Sequence, residues 1–133
     1  MKNLLYVFTA LLIFSCSSSD DSSGTSSSDI NPPTWIQGTW KQEGALQGQG
    51  LGFKFSSNDF CTLILNGDLC TQGQIDSFRK AGEKVTVEET ISSTSYSAKI
   101  NYPMGQSVTY SFSKISNTEI KWESSAGVVF IKQ

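Results

Sequence analysis

Residues 95–102 read Ser-Tyr-Ser-Ala-Lys-Ile-Asn-Tyr, so that polar and apolar side chains alternate at every step. Successive side chains of an extended strand point to opposite faces, and the stretch therefore predicts a strand with one buried and one solvated face. Residues 107–114 repeat the pattern with Val108, Tyr110 and Phe112 on one face. Pro103-Met104-Gly105 separates the two stretches as a turn. The pair is typical of an antiparallel sheet.

The same alternation extends through residues 34–133 and predicts eight strands. They lie near residues 36–44, 50–56, 59–66, 84–91, 94–102, 107–114, 118–124 and 127–132. Short links join the last five, which predicts a meander. Eight short antiparallel strands favour an all-β, up-and-down barrel, because closure leaves no unpaired sheet edge. A two-sheet sandwich is the alternative.

One stretch, residues 71–81, departs from the alternation. The residues that suit a helix are Thr71 and Gln74 at capping-box spacing, Ile75 and Phe78 at helical intervals, and Gly82 at the C′ position. We therefore predict one short helix after the third strand. Gly73 lowers the helix propensity of this stretch, and a ninth strand is the alternative.

Composition limits the possible functions. The chain has 133 residues, enough for one domain, with 38% hydrophobic residues, a net charge of −2 and no histidine. Without histidine, catalytic triads that use imidazole and His-ligated metal sites are excluded. Residues 34–133 carry nine basic and nine acidic side chains, a balance that gives no electrostatic footprint for nucleic acid.

The acidic and small residues do not suggest an active site. Glu88 and Glu89 are adjacent in a predicted strand and point to opposite faces, whereas a glycosidase needs two converging carboxyl groups. The chain has no Gly-x-Ser-x-Gly sequence, and residues 48–52 lack a phosphate-loop pattern. We expect a protein that is not an enzyme and holds no cofactor or metal.

The first sixteen residues have the features of an export signal. Lys2 precedes an apolar stretch of 11 residues, 4–14, which is too short to span a bilayer and suits a secretory signal. Ile13-Phe14-Ser15-Cys16 follows and resembles the lipobox of bacterial lipoproteins, in which the cysteine receives the lipid. The resemblance implies a signal peptide over residues 1–16 and an acylated Cys16, with palmitate among the acyl chains. An ordinary signal peptide is the alternative.

Residues 17–33 contain eight Ser, three Asp and two Pro, a composition that predicts a flexible tether. Cys16-Ser-Ser-Ser-Asp-Asp resembles the start of mature lipoproteins of Bacteroidota, where an early acidic tract marks export to the cell surface. A solvated linker without a signal is the alternative. We expect a bacterial outer-membrane protein held by its lipid anchor and exposed at the cell surface, with the leaflet left open.

Gly38-Thr39-Trp40 lies in the first predicted strand. A Gly-x-Trp there resembles the opening motif of lipocalins and the wider calycin group, and the whole chain resembles the small lipocalin-like lipoproteins of Bacteroidota. The resemblance implies a lipocalin-like barrel over residues 34–133 in which Trp40 packs across the closed end. Lipocalins commonly stack an arginine from near the chain end on this tryptophan, whereas the only arginine here is Arg79.

Two cysteines remain after Cys16 is assigned to the lipid. Cys61 and Cys70 lie beyond the signal, in an oxidising compartment. We predict a disulfide between them, which would close a short loop and stabilise the fold by about 2–3 kcal/mol. Two reduced, buried thiols are the alternative.

The family resemblance implies a binding module for a small apolar or glycan ligand. Candidate contacts are Leu46 and Leu51 in the first hairpin loop, Tyr102 and Met104 in the 101–106 turn, and Trp35 before the first strand. For Trp35 the alternative is a plug beneath the barrel floor. Seventeen bulky residues claim inward positions, enough to fill a small barrel. A filled barrel that binds an extracellular protein partner through its loops, as an interaction or inhibitor module, is the alternative function.

Overall fold

The structure is a computed structural model that describes residues 28–45 and 50–133. The predicted signal peptide, Cys16, residues 17–27 of the predicted tether, and Leu46 lie outside the described residues. Within the described ranges, no helix is long and apolar enough to cross a membrane.

The described residues form nine strands and one α-helix. In chain order these are β1 (Gly38–Gln42), β2 (Gly52–Phe55), β3 (Phe60–Ile64), β4 (Gly67–Cys70), α1 (Thr71–Lys80), β5 (Thr86–Ile91), β6 (Ser95–Asn101), β7 (Ser107–Lys114), β8 (Glu119–Trp122) and β9 (Val128–Lys132). A short 3₁₀ turn, Pro103–Gly105, joins β6 to β7.

All nine strands belong to one antiparallel sheet, in the order β4-β3-β2-β1-β9-β8-β7-β6-β5. The first strand pairs with both the second and the last, as in an up-and-down barrel. The edge strands β4 and β5 do not pair with each other, so the sheet is a curled half-barrel. The prediction of mostly antiparallel β structure is confirmed, and the prediction of eight strands closed on themselves is wrong.

The strand that the sequence did not indicate is β4. Ile64 pairs with Gly67 across a two-residue turn, and Cys61 pairs with Cys70. Asn66-Gly67-Asp68 has the residue types of a turn, yet Gly67 and Asp68 are paired with Ile64 and Leu63. Three of the four β4 residues are exposed, so no alternation of buried and solvated side chains marks the strand. The helix therefore follows the fourth strand and not the third.

The two ends of the helix α1 are capped differently, the C-terminus by main-chain hydrogen bonds and the N-terminus by a carboxylate from another loop. Its last turn is closed by Gly82, which donates to the Arg79 carbonyl at 2.9 Å, and by Glu83, which donates to the Phe78 carbonyl at 3.0 Å. These are the two bonds of a Schellman motif, with Gly82 at φ +84° as expected. The predicted capping box is wrong: Thr71 lies inside the helix, and the Asp59 carboxylate accepts from the Gln72 N–H at 2.8 Å.

An N-terminal strap, residues 28–36, lies between α1 and β5. Its polar contacts are the Asp29–Arg79 ion pair, a bond from the Asn31 N–H to the Glu89 carboxylate at 2.7 Å, and a bond from the Trp35 indole to the Ser92 carbonyl at 2.9 Å. Ile30 and Ile36 are fully buried. The strap and α1 together fill the seam that the unpaired edges leave. The last residues of the predicted tether, 28–33, therefore lie against the sheet.

The core occupies the concave side of the sheet. Its fully buried side chains include Trp40, Phe53, Phe60, Ile75, Tyr96, Ile100, Phe112, Ile120 and Phe130. Phe53 contacts Phe112, Trp122 and Phe130 with ring centroids 4.9–5.2 Å apart. Two of these contacts are edge-to-face. Aromatic contacts of this kind pack the interior at the density of an ordinary protein core.

Candidate binding site at the open end

The strand register determines which loops share an end of the half-barrel. Loop 43–51 and the turns at 65–66, 102–106 and 123–127 follow strands that run to one end, which we call the open end. Loop 56–59 and the turns at 92–94 and 115–118 lie at the other, closed end, with the turn at 34–36 of the N-terminal strap. Two of the predicted contact regions, around Leu51 and around Tyr102, therefore share one end.

Several apolar side chains at the open end face inward and remain exposed. In strand register they continue the rows of core residues, since Ile64 follows Phe60 and Thr62, and Val108 precedes Tyr110 and Phe112. Their exposed fractions are 46% for Ile64, 49% for Leu69, 41% for Phe78 and 42% for Val108. Ile64 has the inward register position of a core residue, but the core ends below it and its side chain stays half-exposed. We call these four residues, with Tyr102 and Tyr110, the mouth.

Aromatic rings form the part of the mouth nearest the helix. The rings of Phe78 and Tyr102 lie 5.2 Å apart, and Tyr110 contacts Phe60 at 4.9 Å. Burial raises the pKa of both tyrosine phenols, while a hydrogen bond from Thr62 acts in the opposite direction on Tyr110. Both hydroxyls are therefore neutral donors at physiological pH.

Trp122 brings an unsatisfied donor to the same end. Its ring stacks beside Tyr110 and contacts Phe53 edge-on, at 6.4 and 5.0 Å. The indole Nε1 is buried and has no hydrogen-bond partner among residues 28–45 and 50–133. A buried donor without an acceptor costs about 1–3 kcal/mol, and an acceptor placed there would recover part of this free energy.

A largely open depression of about 410 Å³ lies on the rim of the open end. Its walls are Gly50, Leu51, Leu63, Ile64, Leu65 and Asn66. We call it the rim cavity. Four of the six lining residues have aliphatic side chains and none is charged, so the cavity suits an apolar group.

The predicted contact residues fall in different places. Leu51 lines the rim cavity and Tyr102 belongs to the mouth. Met104 is at the tip of the β6–β7 turn with 96% of its surface exposed, so it lines neither. Trp35 lies at the closed end, partly buried against the core, where the alternative prediction placed it as a plug.

Some residues of the site were not predicted as contacts. Leu69 was not identified as a contact because the sequence did not indicate the strand β4. Phe78 was assigned only to a helix face. Leu63 and Leu65 carried a usable signal, since the third strand ends in a run of aliphatic residues longer than one buried face requires.

The residues of the Gly-x-Trp motif lie at the start of β1. The Trp40 side chain is fully buried, and its indole donates to the Ile36 carbonyl at 2.6 Å. The Lys132 ammonium lies 5.2 Å from the centre of the Trp40 ring, within cation–π distance. Gly38 has φ +127°, and a side chain there would come within 2.9 Å of Lys132.

The two remaining cysteines are at disulfide distance. Cys61 and Cys70 are directly opposite each other on β3 and β4, and their sulfurs are 2.03 Å apart. They lie on the outer face of the sheet, because they alternate with the inward-facing Phe60 and Thr62. The pair is therefore separate from the mouth.

Comparison with known proteins found no matching family model, no matching curated protein and no matching solved structure.

Proposed function

We propose that the chain is a membrane-tethered, non-enzymatic, lipocalin-like module that binds a small apolar ligand at its open end. The observation that carries the proposal is the rim cavity of about 410 Å³, walled by Leu51, Leu63, Ile64 and Leu65. Its volume falls in the range of small-molecule pockets, about 300–1,000 Å³. The aliphatic lining favours an apolar ligand over a glycan.

The packed interior locates the ligand at the end of the half-barrel and not at its centre. Phe53 and its aromatic neighbours occupy the middle of the concave side. Above them, the exposed mouth residues offer apolar surface. A ligand with an apolar body fits this surface.

Three features support the lipocalin-like assignment. The first strand pairs with the last, the Gly-x-Trp motif opens that first strand, and a cation from β9 lies over the tryptophan. Lys132 takes the place where the family commonly has an arginine. The seam between β4 and β5 is occupied by α1 and the N-terminal strap.

The path of the chain supports a tether that leaves the mouth accessible. The strap enters at Ser28, whose hydroxyl bonds to Gln72 at 2.9 Å and contacts the Asn58 carbonyl in a closed-end loop. An acylated Cys16 would therefore draw the closed end toward the outer membrane. The mouth would face away from it, toward molecules outside the cell.

A ligand titration followed by tryptophan fluorescence tests the proposal. We expect fatty acids or retinoid-like compounds to change the emission saturably, because Trp122 lies next to the mouth. Leu65→Ser removes an exposed wall of the cavity and should weaken binding by about tenfold, the equivalent of 1.4 kcal/mol. Ile115→Ser is the matched control, since Ile115 is an exposed aliphatic residue at the closed end.

Saturable binding that Leu65→Ser and Ile115→Ser leave equally unchanged would contradict the proposed site. No response to any apolar compound would contradict the ligand itself.

A second candidate function rests on Met104. Its almost complete exposure places a flexible apolar side chain at the open end, where a protein partner could bury it. In that case the filled interior would serve as a scaffold, and the loops of the open end would bind an extracellular protein. Loss of a purified partner's binding in Met104→Ser, together with no response to apolar compounds, would favour this function.

A further inference from the structure

The turn between β3 and β4 contains the one asparagine of the chain that a glycine follows. The chain has six asparagines, at positions 3, 31, 58, 66, 101 and 117, and only Asn66 precedes a glycine. Ile64 pairs with Gly67, so that Leu65 and Asn66 form a two-residue turn at the tip of the hairpin. Asn66 also lines the rim cavity. The turn therefore places a chemically labile residue pair at the candidate ligand site.

Both residues of this pair are open to water. Asn66 and Gly67 are exposed, and a Cβ added at Gly67 would meet no atom within 4 Å. Gly67 has φ +145°, in the region that favours glycine. Among the described strands β4 pairs only with β3, and an edge hairpin opens locally at little cost in free energy. No side chain at residue 67 hinders the approach of its main-chain nitrogen to the Asn66 amide.

We propose that Asn66 is a deamidation site and that its reaction regulates the rim cavity, a regulation that rests on the proposed function. The main-chain nitrogen of Gly67 attacks Cγ of Asn66, so that a C–N bond forms and the bond from Cγ to Nδ2 breaks. The side-chain nitrogen leaves as ammonia with the proton that Gly67 loses. Water then opens the cyclic imide at either of its two carbonyls and forms aspartate or isoaspartate, each with one carboxyl group that ionises at neutral pH.

Two other described asparagines lack this combination of features. The Asn101 side-chain amide donates to the Glu88 carboxylate at 2.7 Å, and the bulky Tyr102 follows it in the chain. Asn117 is exposed in a closed-end turn, but the β-branched Thr118 follows it. Asn117 is therefore the internal control for the reaction, since it is equally open to water and differs in the residue that follows.

The reaction would place a charge on an uncharged wall. The other residues that line the rim cavity are Gly50, Leu51, Leu63, Ile64 and Leu65, none of which ionises. A carboxylate at residue 66 would repel the headgroup of an anionic ligand, whereas a neutral apolar ligand has no charge to be repelled. Deamidation would therefore change which apolar compounds the cavity prefers.

The isoaspartate product changes the backbone as well. Its main chain runs through the former side-chain carbons and is longer by one methylene group. The length of a hairpin turn sets the register of its strands, so the start of β4 would be displaced. The disulfide between Cys61 and Cys70 fixes the opposite end of the hairpin, which confines the displacement to the part of β4 nearest the rim cavity.

Peptide mapping by mass spectrometry tests the site in the purified full chain. Timed incubation in a mildly alkaline buffer favours loss of the Gly67 proton. The peptide that contains Asn66 should gain the mass difference between a carboxyl and a carboxamide group and should elute as two products. Asn66 should react at least about tenfold faster than Asn117. Asn66→Gln should stay unmodified over the same time, because its longer side chain closes a larger ring less readily.

Ligand titration with oleate and with oleyl alcohol tests the effect on the cavity. Asn66→Asp carries the charge of the product without the longer backbone. It should weaken oleate binding by about three- to tenfold and change binding of the alcohol by less than about twofold. High salt should reduce the loss for oleate, because salt screens exposed charges. Asn117→Asp is the matched control, since it adds the same charge at the closed end.

Slow or equal deamidation of Asn66 and Asn117 would overturn the modification site, whatever the ligand measurements give. Equal oleate affinities of Asn66→Asp and Asn117→Asp would overturn the regulation. Binding of neither ligand by the unmodified chain would contradict the proposed function and the regulation with it, while the mass measurement still decides the modification site.

Discussion

Trp40 packs into the core near the closed end. It is fully buried, its indole N–H is satisfied by Ile36, and Lys132 lies over its ring. We predict that Trp40→Ala lowers the free energy of unfolding by about 3–5 kcal/mol, as large aromatic truncations in cores do. Urea denaturation followed by circular dichroism measures the change.

Trp35→Ala is the control for this variant, because Trp35 is only partly buried and contacts the outside of the core. Its effect should be smaller than that of Trp40→Ala. A loss below about 1 kcal/mol in Trp40→Ala would show that this residue is not part of the core.

At the scale of the element, α1 and the turn that ends it contain two glycines in different backbone conformations. Gly73 is inside the helix with open space around its Cα, whereas Gly82 has φ +84°. Gly73→Ala should raise the free energy of unfolding by about 0.5–1 kcal/mol through helix propensity. Gly82→Ala should lower it, because a side chain is strained at positive φ.

Thermal unfolding of the two variants measures this difference. The same sign of change in both would contradict the assigned helix end.

Elements with one buried and one solvated face were predictable from the sequence. The strands predicted at 94–102 and 107–114 became β6 and β7 to within one residue at each end, because polar and apolar residues alternate along both stretches. The strand β4 was not predictable, because an edge strand of four mostly exposed residues has no such alternation. The hydrogen bond by which Asp59 caps α1 was not predictable for another reason, because it joins residues 13 apart in sequence.

Part of the candidate site was predictable for the same reason. Leu51 and Tyr102 were identified from loop position, and the register placed both at the open end. Leu69 and Phe78 were not identified, since both belong to the seam between β4 and β5. Neither β4 nor the strap has a periodic sequence signal, and the helical spacing of Phe78 indicated a helix but not what that helix would face.

At the scale of the whole molecule, the N-terminal strap stabilises the seam. We predict that residues 34–133 fold with β-dominated circular dichroism but are less stable than residues 28–133. Loss of the buried Ile30 alone accounts for about 1.5–3 kcal/mol. The Asp29–Arg79 pair is partly exposed and adds at most about 1 kcal/mol.

Chemical denaturation of the two chains, with Asp29→Asn as a third sample, separates these contributions. Equal stability of the two chains would show that the strap does not close the seam.

The lipobox-like sequence that ends at Cys16 predicts a covalent modification at the start of the mature chain. Mass spectrometry of protein extracted from membranes should find an N-terminal Cys16 carrying acyl chains. Several chains are needed for stable anchoring, because each buried methylene contributes only about 0.8 kcal/mol. A soluble secreted form that starts at another residue would contradict the anchor.

The central claim is that ligand binds in the rim cavity, and two-dimensional ¹⁵N–¹H NMR of the chain with an apolar ligand tests it most directly. We predict that the amide signals of Gly50, Leu51 and residues 63–66 shift progressively and saturate, while those of the closed-end turn at 92–94 stay fixed. Shifts concentrated at the closed end, or no shifts with any apolar compound, would contradict the claim.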